Sequence, residues 1–331
     1  MRRALELSRA VLGTTSPNPP VGAVVLDRAG EPVGEGATSA PGGPHAEVAA
    51  LLQAGTRAYG GTLVCTLEPC NHVGRTGPCT AAVTEAGIAR VAFALPDPTE
   101  LAGGGAELLE AAGVEVTGGL LADEVGEGPL EAWLHAQRTG RPFVTWKYAA
   151  TLDGRSAAAD GSSRWITGAA ARADVHRLRA ESDAVVVGVG TVLADDPQLT
   201  VRPDPGHQPL RVVLDSDGRT PASARVRDDS AGTLVLTAAE VDRHDPAAVL
   251  SLLHARGVVS VLLEGGPTVA AAFLRAGLVD RVVGYVAPAL LGAGPSAVGE
   301  LGVGTIGSAV RLRLSDVVRV GDDVRLTMRR A

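Results

Sequence analysis

Short apolar runs alternate with helical stretches along this 331-residue chain, and this alternation is what most constrains its fold. In the first part, the predicted strands VGAVVLD, GTLVCTL and RVAFAL are separated by helical stretches such as HAEVAALLQAG and CTAAVTEAG. Strands that alternate with helices are typical of an α/β fold, in which helices cover the faces of a sheet. The length fits about two domains of roughly 150 residues each.

A predicted helix over residues 121–138 leads into the polar stretch RTGRPF, which contains Gly and Pro. We place the domain boundary there, near Gly140, so that the predicted domains are residues 1–140 and 141–331. The second domain alternates strands such as FVTWKYA and VVSVLLEGG with the helix GAAARADVHRLRAES. Its last stretch, VRLRLSDVVRVGDDVRLTMRR, alternates with a period of two around GDD, which indicates a hairpin. We therefore expect a mostly parallel sheet with an antiparallel edge.

Composition narrows the class of function. The net charge is −7, aromatic residues make up 3% of the chain, and Lys and Arg form no stripe. A nucleic-acid surface normally needs clustered basic residues, so the balance favours small-molecule chemistry. No apolar run approaches the roughly 18 residues of a membrane span. The first residues, MRRALELSRAVLG, predict an amphipathic helix rather than a signal peptide, so we expect a cytoplasmic protein with reduced thiols.

All three cysteines lie in the stretch CTLEPCNHVGRTGPC, residues 65–79. With His45 of the stretch PHAE, Cys70 and Cys79 supply three ligands for one zinc ion and leave a fourth position for water. An open position predicts catalysis, because zinc lowers the pKa of a bound water toward about 7. Glu47 is predicted to move protons from that water to a leaving amine. Taken singly, His45 could instead be a helix-terminal residue and the cysteines buried hydrophobic residues, as we expect for Cys65.

The order His-x-Glu and then Pro-Cys matches the zinc deaminase signature, except that eight residues separate the two cysteines instead of two. The stretches TLEPCNHVGRTGPC, PNPPVGAVV and PHAEVAAL resemble the deaminase half of the bifunctional riboflavin-biosynthesis deaminase–reductase family, in which the long spacing is normal. The resemblance implies a cytidine-deaminase-like, three-layer α/β/α domain. It also implies that Asn18, His72 and Arg75 hold a phosphoribosylated diaminopyrimidinone. The alternative for these three residues is turn formation or loop solvation.

The second domain resembles the reductase half of the same family in VTWKYAATLDGRSA, SRWITG, VGVGTVLADDPQLTVR and LLEGGPTVAAAFLRAGLVD. The resemblance implies a dihydrofolate-reductase-like α/β fold and NADPH as cofactor. The implied cofactor contacts are Ala149, Trp165, Thr191, Asp195, Ser216, Gly266, Pro267 and Thr268. The implied substrate contacts are Ser163, Arg179, Leu199, Arg202 and Glu264, of which the two arginines suit a phosphate. The residues alone leave NADPH open, because the turns EGGPT and GVGT are not a GxGxxG fingerprint.

Lys147 is the one lysine of the chain, and it lies within the apolar strand FVTWKYA. A lone buried lysine is costly unless it is paired, and Glu264 at the end of another apolar strand could be its partner. The pair is either a structural ion pair or a pair that handles protons during reduction. We favour the second reading, which makes Glu47, Lys147 and Glu264 the predicted catalytic residues.

The sequence thus predicts two consecutive reactions on a small phosphorylated pyrimidine. Zinc-dependent deamination is followed by NADPH-dependent reduction of a ribosyl group to a ribityl chain. We expect no nucleic-acid or membrane partner, and a homo-oligomer, either a dimer or a tetramer. Three alternatives stay open: a nucleic-acid base deaminase, a binding module in which a fourth ligand such as His72 closes the zinc site, and a chain with one inactive domain.

Overall fold

The computed structural model describes residues 1–72, 77–203, 206–241 and 245–330. The chain divides into two compact units, residues 1–141 and residues 142–331, and each unit contains one sheet. Across the described residues, no helix has both the length and the apolar character needed to cross a membrane.

The first unit begins with an amphipathic helix, as expected, and its sheet has the strand order β2-β1-β3-β4-β5. Strand β1 runs antiparallel to β2 and β3, whereas β3, β4 and β5 are parallel. The elements are α1 (Arg2–Ala10), β1 (Gly22–Leu26), β2 (Pro32–Ala37), α2 (Ala46–Ala54), β3 (Thr62–Leu67), α3 (Cys79–Glu85), β4 (Arg90–Leu95), α4 (Gly105–Ala111), β5 (Glu115–Thr117), α5 (Ala122–Gly126) and α6 (Glu131–Thr139).

Two glycines show how helices cover both faces of this sheet. A Cβ atom on Gly22 would lie 2.0 Å from the carbonyl oxygen of Ala4, so α1 packs directly against β1 there. A Cβ atom on Gly36 would lie 2.2 Å from the carbonyl oxygen of Ala46, so α2 packs equally closely on β2. Gly36 is paired with Ala23, the neighbour of Gly22, and successive residues of a strand face opposite sides. Helices α1 and α2 therefore lie on opposite faces, which gives the three layers.

The second unit has the strand order β12-β13-β11-β6-β10-β7-β8-β9. The pairs β11–β13 and β12–β13 are antiparallel, and the other pairs are parallel, as the sequence predicts. The elements are β6 (Phe143–Thr151), α7 (Ala169–Ala180), β7 (Ala184–Gly188), α8 (Val189–Asp195), β8 (Leu210–Leu214), β9 (Thr233–Leu236), α9 (Pro246–His254), β10 (Ser260–Leu263), α10 (Pro267–Arg275), β11 (Arg281–Ala287), β12 (Leu312–Val320) and β13 (Asp323–Arg330).

Two predicted elements have different bounds in the structure. The helix expected over residues 121–138 is two helices, α5 and α6, separated by residues 127–130. This interruption contains Gly128 and Pro129, which disfavour a continuous helix. The apolar run AVVVGVG is a strand only as far as Gly188, where the backbone is extended, and helix α8 begins at Val189. The valines have a high strand propensity, which hides the start of this helix in the sequence.

Candidate active sites

The three predicted zinc ligands come together in the first unit. His45 is the extended residue before α2, Cys70 follows β3, and Cys79 is the first residue of α3. His45 Nδ1 lies 3.5 Å from Cys70 Sγ and 3.3 Å from Cys79 Sγ. A tetrahedral zinc ion with ordinary bonds to nitrogen and sulfur separates such atoms by roughly 3.6 Å. The donor set and these two distances therefore fit a shared zinc ion.

Among the described residues, the cluster has three members. Its ligand atoms lie within 4.8 Å of one another, and no other His, Cys, Asp or Glu of the described residues joins them. His72, the candidate for a closing ligand, is not part of the cluster. Hydrogen bonding from Cys79 and then from His45 lowers the pKa of Cys70 to about 4, which favours the thiolate that binds zinc. The described residues thus form an open site, which argues against the closed, purely structural alternative.

Cys65 stands apart from this cluster. It lies on β3 opposite Ala23, is fully buried, and belongs to the hydrophobic core of the first unit. Burial raises the pKa of its thiol well above the ordinary value. The expectation that Cys65 packs in the core is therefore confirmed.

Glu47 lies in the first turn of α2, two residues after His45, and only 3% of it is exposed. Burial is the main reason why the pKa of its carboxyl group is raised to about 7, and the nearby Cys70 adds to the effect. A carboxyl group in this condition exchanges protons readily near neutral pH. Glu47 also lines the same cavity as His45 and Cys70, as a proton carrier must.

This cavity has a volume of about 550 Å³ and is also lined by Asn18 and His72. The backbone of Asn18 is held by Thr15, whose carbonyl accepts the Asn18 N–H at 2.9 Å and whose hydroxyl donates to the Asn18 carbonyl at 3.0 Å. Nδ1 of His72 is buried without a hydrogen-bond partner in the described part of the chain. Both side chains can therefore meet a substrate in the cavity. Arg75, the third expected contact, lies outside the described residues.

Glu68 is a residue of this site that the sequence analysis missed. Its buried carboxylate accepts the backbone N–H of Asp97 at 2.9 Å and that of Ala106 at 2.8 Å. On the other side of Cys70, Asn71 N–H donates to the carbonyl of Ala102 at 3.0 Å. The segment 97–106, which forms part of the cavity wall, is thus hydrogen-bonded to residues on both sides of the zinc ligand Cys70. The sequence feature that could have revealed Glu68 is its position, since it is a carboxylate at the end of an apolar strand and two residues before Cys70.

Trp133 and Gln137 also line the cavity and were not anticipated. They lie four residues apart on α6, so they face the same side of the helix. Trp133 is part of the hydrophobic core as well, which fixes its position. Nothing in the local sequence connects this late helix with the zinc cluster, since only the tertiary fold brings them together.

In the second unit, Lys147 and Glu264 meet as expected, but Arg179 lies closer to Glu264 than Lys147 does. Lys147 Nζ lies 3.8 Å from Glu264 Oε2. The Arg179 guanidinium donates to both oxygens of Glu264, at 2.6 and 3.0 Å, and to the carbonyl of Thr200 at 3.0 Å. The fork that the sequence analysis assigned to a substrate phosphate is therefore made to a carboxylate in this structure. Burial, and then the charge of Arg179, lowers the pKa of Lys147, while Glu264 opposes this change.

The register of the sheet explains why Lys147 and Glu264 meet. Strands β6 and β10 are parallel neighbours in which Trp146 is paired with Leu263. One residue further along each strand come Lys147 and Glu264, so they lie side by side at the carboxyl end of β10. Glu264 is held there because its N–H donates to the Val186 carbonyl of β7 at 2.9 Å.

The expected cofactor contacts follow the carboxyl ends of parallel strands. Thr191 is on α8 after β7, and Ser216 follows β8. Gly266 directly precedes α10, and Pro267 and Thr268 are the first residues of that helix. A Cβ atom on Gly266 would lie 3.8 Å from Thr191 Oγ1, so two of these turns adjoin. Ala149 is on β6, two residues beyond Lys147 and hence on the same face of the sheet. Ligands of open α/β sheets bind at this edge.

Trp165 lies in the segment between β6 and α7 and is 69% exposed, which excludes the core position. The guanidinium of Arg172 lies 4.5 Å from the centre of its indole ring. Arg164, the preceding residue, forms an ion pair with Asp195 at 3.5 Å. The segment that carries Trp165 is thereby connected to the end of α8, where another of the expected cofactor contacts lies.

The remaining expected substrate contacts differ in exposure. Ser163 is half-buried in the segment that leads to Trp165, and Arg202 is exposed. Leu199 is 3% exposed and packs in the hydrophobic core, so its side chain faces inward. Its φ of 58° is unusual for a residue other than glycine, and this backbone turn lies three residues before Arg202.

Comparison with known protein families supports both units. The family model "Cytidine and deoxycytidylate deaminase zinc-binding region" matches residues 1–95, which include His45, Cys70 and Cys79. The model "RibD C-terminal domain" matches residues 142–326.

Full-length relatives and solved structures agree with these matches. The riboflavin biosynthesis protein RibD of Mycobacterium tuberculosis is 52% identical over 99% of this chain and 96% of its own length. RibD of Escherichia coli strain K12 is 41% identical over 98% of this chain and 97% of its own length. A structure of Acinetobacter baumannii RibD has a TM-score of 0.91 at 39% identity, covering 100% of this chain and 97% of that one. A Thermotoga maritima diaminohydroxyphosphoribosylaminopyrimidine deaminase/5-amino-6-(5-phosphoribosylamino)uracil reductase has a TM-score of 0.92 at 37% identity, with the same coverage.

The fold, the open His/Cys cluster and these matches define a two-domain enzyme, in which a zinc-binding deaminase domain is followed by a reductase domain. The chain belongs to the RibD family of riboflavin biosynthesis proteins. The expected cytidine-deaminase-like and dihydrofolate-reductase-like folds are thus confirmed, and so is the pairing of a hydrolase with an oxidoreductase. The roles of individual residues stay predictions.

Proposed function

We propose that this chain performs two consecutive steps on a phosphoribosylated diaminopyrimidinone. The first unit removes an amino group of the pyrimidine by hydrolysis, and the second reduces the ribosyl group to a ribityl chain with NADPH. The observation that carries the first step is the three-ligand His/Cys cluster beside a buried glutamate. A cluster of this kind suits hydrolytic deamination because it leaves one position open.

In the deaminase site, His45, Cys70 and Cys79 would hold zinc through one nitrogen and two sulfur atoms. Zinc bound there would lower the pKa of a water molecule toward about 7 and so supply hydroxide as the nucleophile at neutral pH. Glu47 would take up the proton of the attacking water and give it to the amino group that leaves as ammonia. Its burial and its place in the wall of the cavity support this role.

Substrate contacts in this site follow from the cavity wall. The amide of Asn18 can both donate to and accept from a pyrimidine edge or a ribose hydroxyl. Nδ1 of His72, which has no hydrogen-bond partner among the described residues, offers a further polar contact. Arg75 is assigned to the phosphate because a guanidinium matches phosphate oxygens in charge and geometry.

In the reductase site, the carboxyl edge of the parallel sheet fits NADPH. Backbone N–H groups at the start of α10, after Gly266, have no partner within the helix and can hold a diphosphate. Trp165 offers an exposed ring to the cofactor. Bound NADPH supplies the hydride for C1 of the opened ribosyl group. Lys147 gives a proton to the substrate, and Glu264 holds Lys147 in place.

We further infer a cytoplasmic homo-oligomer. The three cysteines are free thiols, which is the form that the reducing conditions of this compartment maintain. The edge strand β12 exposes Leu314 and Val317, which a second copy of the chain can cover. Light scattering of the purified protein would test the assembly, and a monomeric mass would contradict it.

A product assay by mass spectrometry tests the proposed function. The zinc-loaded protein is given the diaminopyrimidinone ribosylamine phosphate with and without NADPH. Without NADPH, we expect a product that is deaminated but not reduced. With NADPH, we expect a product that is both deaminated and reduced. Deamination alone in both samples would contradict the reductase half. No turnover of this substrate, combined with deamination of a tRNA or DNA base, would replace the proposal by a nucleic-acid deaminase.

A further inference from the structure

The segment 198–202 of the second unit is held in an irregular conformation by side chains rather than by a strand ladder. Leu199, Thr200 and Val201 are buried, although the segment belongs to no helix or strand. Buried backbone groups need hydrogen-bond partners, and here side chains from elsewhere supply them. Gln208, for example, accepts the Val201 N–H at 2.7 Å and donates to the Val201 carbonyl at 3.3 Å.

His176 of α7 contacts two backbone groups of this segment through a single atom. Its Nδ1 lies 3.1 Å from the Thr200 carbonyl oxygen and 3.2 Å from the Arg202 nitrogen. One ring nitrogen can donate or accept, but not both. Arg179 already donates to the Thr200 carbonyl at 3.0 Å, so that oxygen is satisfied without His176. The better-satisfied arrangement is therefore a neutral ring in which Nδ1 accepts the Arg202 N–H and Nε2 carries the proton.

The surroundings support the neutral ring. Burial lowers the pKa of His176, and the charges of Arg179 and Arg202 lower it further. His176 and Arg179 are three residues apart on α7, so one face of this helix reaches both Thr200 and Arg202. The helix itself is fixed to the sheet, because Asp174 accepts hydrogen bonds from Tyr285 at 2.7 Å and from Arg325 at 2.8 Å.

We propose that His176 is a positioning residue of the reductase site, which directs the guanidinium of Arg202 toward the phosphate of the substrate by holding the Arg202 backbone. Arg202 is exposed, and its guanidinium has no ion-pair partner within the described residues. The fork of Arg179, in contrast, is made to Glu264. Arg202 is therefore the arginine of the two that is available for a phosphate. This inference rests on the proposed function, in which the reductase substrate carries that phosphate.

The test compares His176→Ala and His176→Asn with the wild-type enzyme. The Asn side-chain oxygen can take the place of Nδ1 as acceptor, whereas Ala removes the acceptor. His254→Ala, at a half-buried histidine on α9, is the matched control. Each protein is given the deaminated substrate with and without its phosphate, and kcat and KM are measured for both substrates and for NADPH.

We expect His176→Ala to raise KM for the phosphorylated substrate by about five- to tenfold, the equivalent of one hydrogen bond. The preference of this variant for the phosphorylated over the dephosphorylated substrate, measured as the ratio of kcat/KM, should fall by a similar factor. KM for NADPH, kcat and the deaminase rate should change less than about twofold. His176→Asn should recover most of the preference. Full preference in His176→Ala, or an equal rise of KM for both substrates, would overturn the inference. A wild-type enzyme that ignores the phosphate would also overturn the expected contact between Arg202 and the phosphate, but not the two reactions of the proposed function.

Discussion

The carboxylate of Glu264 receives the forked guanidinium of Arg179 at 2.6 and 3.0 Å, while Lys147 lies farther from it, at 3.8 Å. All three side chains are mostly buried. The positive groups of Lys147 and Arg179 thus both interact with the carboxylate of Glu264, and Arg179 makes the shorter contacts. Lys147 is left with a weak partner and a lowered pKa, which suits a group that must give up a proton.

The ionisation of Glu264 predicts a pH dependence of stability. Burial would raise the pKa of this carboxyl group, but Arg179 and then Lys147 outweigh burial and lower it from 4.5 to about 2. A lowered pKa adds stability above the unfolded value, and this contribution is lost as the pH falls from about 4.5 toward 2. We expect the difference in unfolding free energy between wild type and Glu264→Gln to shrink by about 3 kcal/mol over that range. Urea unfolding at several pH values measures it, and a constant difference would refute the ion-pair interpretation.

Two substitutions of Lys147 separate its proton from its charge. Lys147→Met removes both, and we expect reductase kcat to fall by about a hundred- to ten-thousand-fold with the deaminase rate unchanged. Lys147→Arg keeps the charge, but a guanidinium holds its proton too tightly to give it up. It should therefore lose a similar factor. Steady-state assays of both half-reactions measure this, and a fully active Lys147→Arg enzyme would show that charge alone is needed.

The sequence predicted most helices and strands, the zinc cluster and the Lys147–Glu264 pair, but not the closer partner of Glu264. The hairpin of β12 and β13 was predictable from the two-residue alternation on both sides of GDD. The zinc cluster could be predicted because each ligand lies at or near the end of a recognisable helix or strand. Arg179, the closer partner of Glu264, was not predicted, because its charge alone suited a phosphate equally well. Only the packing of α7 against the sheet decides between these two partners.

The three cysteines provide their own control for the metal site. Cys70→Ala and Cys79→Ala each remove a ligand, so we expect loss of the zinc ion and of deamination. Cys65→Ala changes a core residue that lies outside the cluster and should keep about one zinc per chain. Elemental analysis of the purified variants measures the metal content. Retention of zinc by Cys79→Ala would show that a different residue completes the site.

Glu47 is expected to act on protons rather than on the metal. Glu47→Gln keeps the size of the side chain and removes its ability to accept a proton, so kcat for deamination should fall by about a hundred- to ten-thousand-fold. Zinc content and reductase activity should stay at the wild-type level, because Glu47 is not among the three clustered ligands. Rapid deamination by a zinc-loaded Glu47→Gln enzyme would remove this residue from the mechanism.

Glu68 lines the same cavity, yet its contacts predict a different outcome. Both of its oxygens accept backbone N–H groups of the cavity wall, at 2.8 and 2.9 Å. Glu68→Gln turns one acceptor into a donor that faces an N–H group, which costs about 1–3 kcal/mol of stability. Because the wall segment loosens while Glu47 stays in place, KM for deamination should rise more than kcat falls. Thermal unfolding together with steady-state kinetics measures both effects. A loss of kcat as large as that of Glu47→Gln, at unchanged KM and stability, would make Glu68 a second proton carrier instead of a structural anchor.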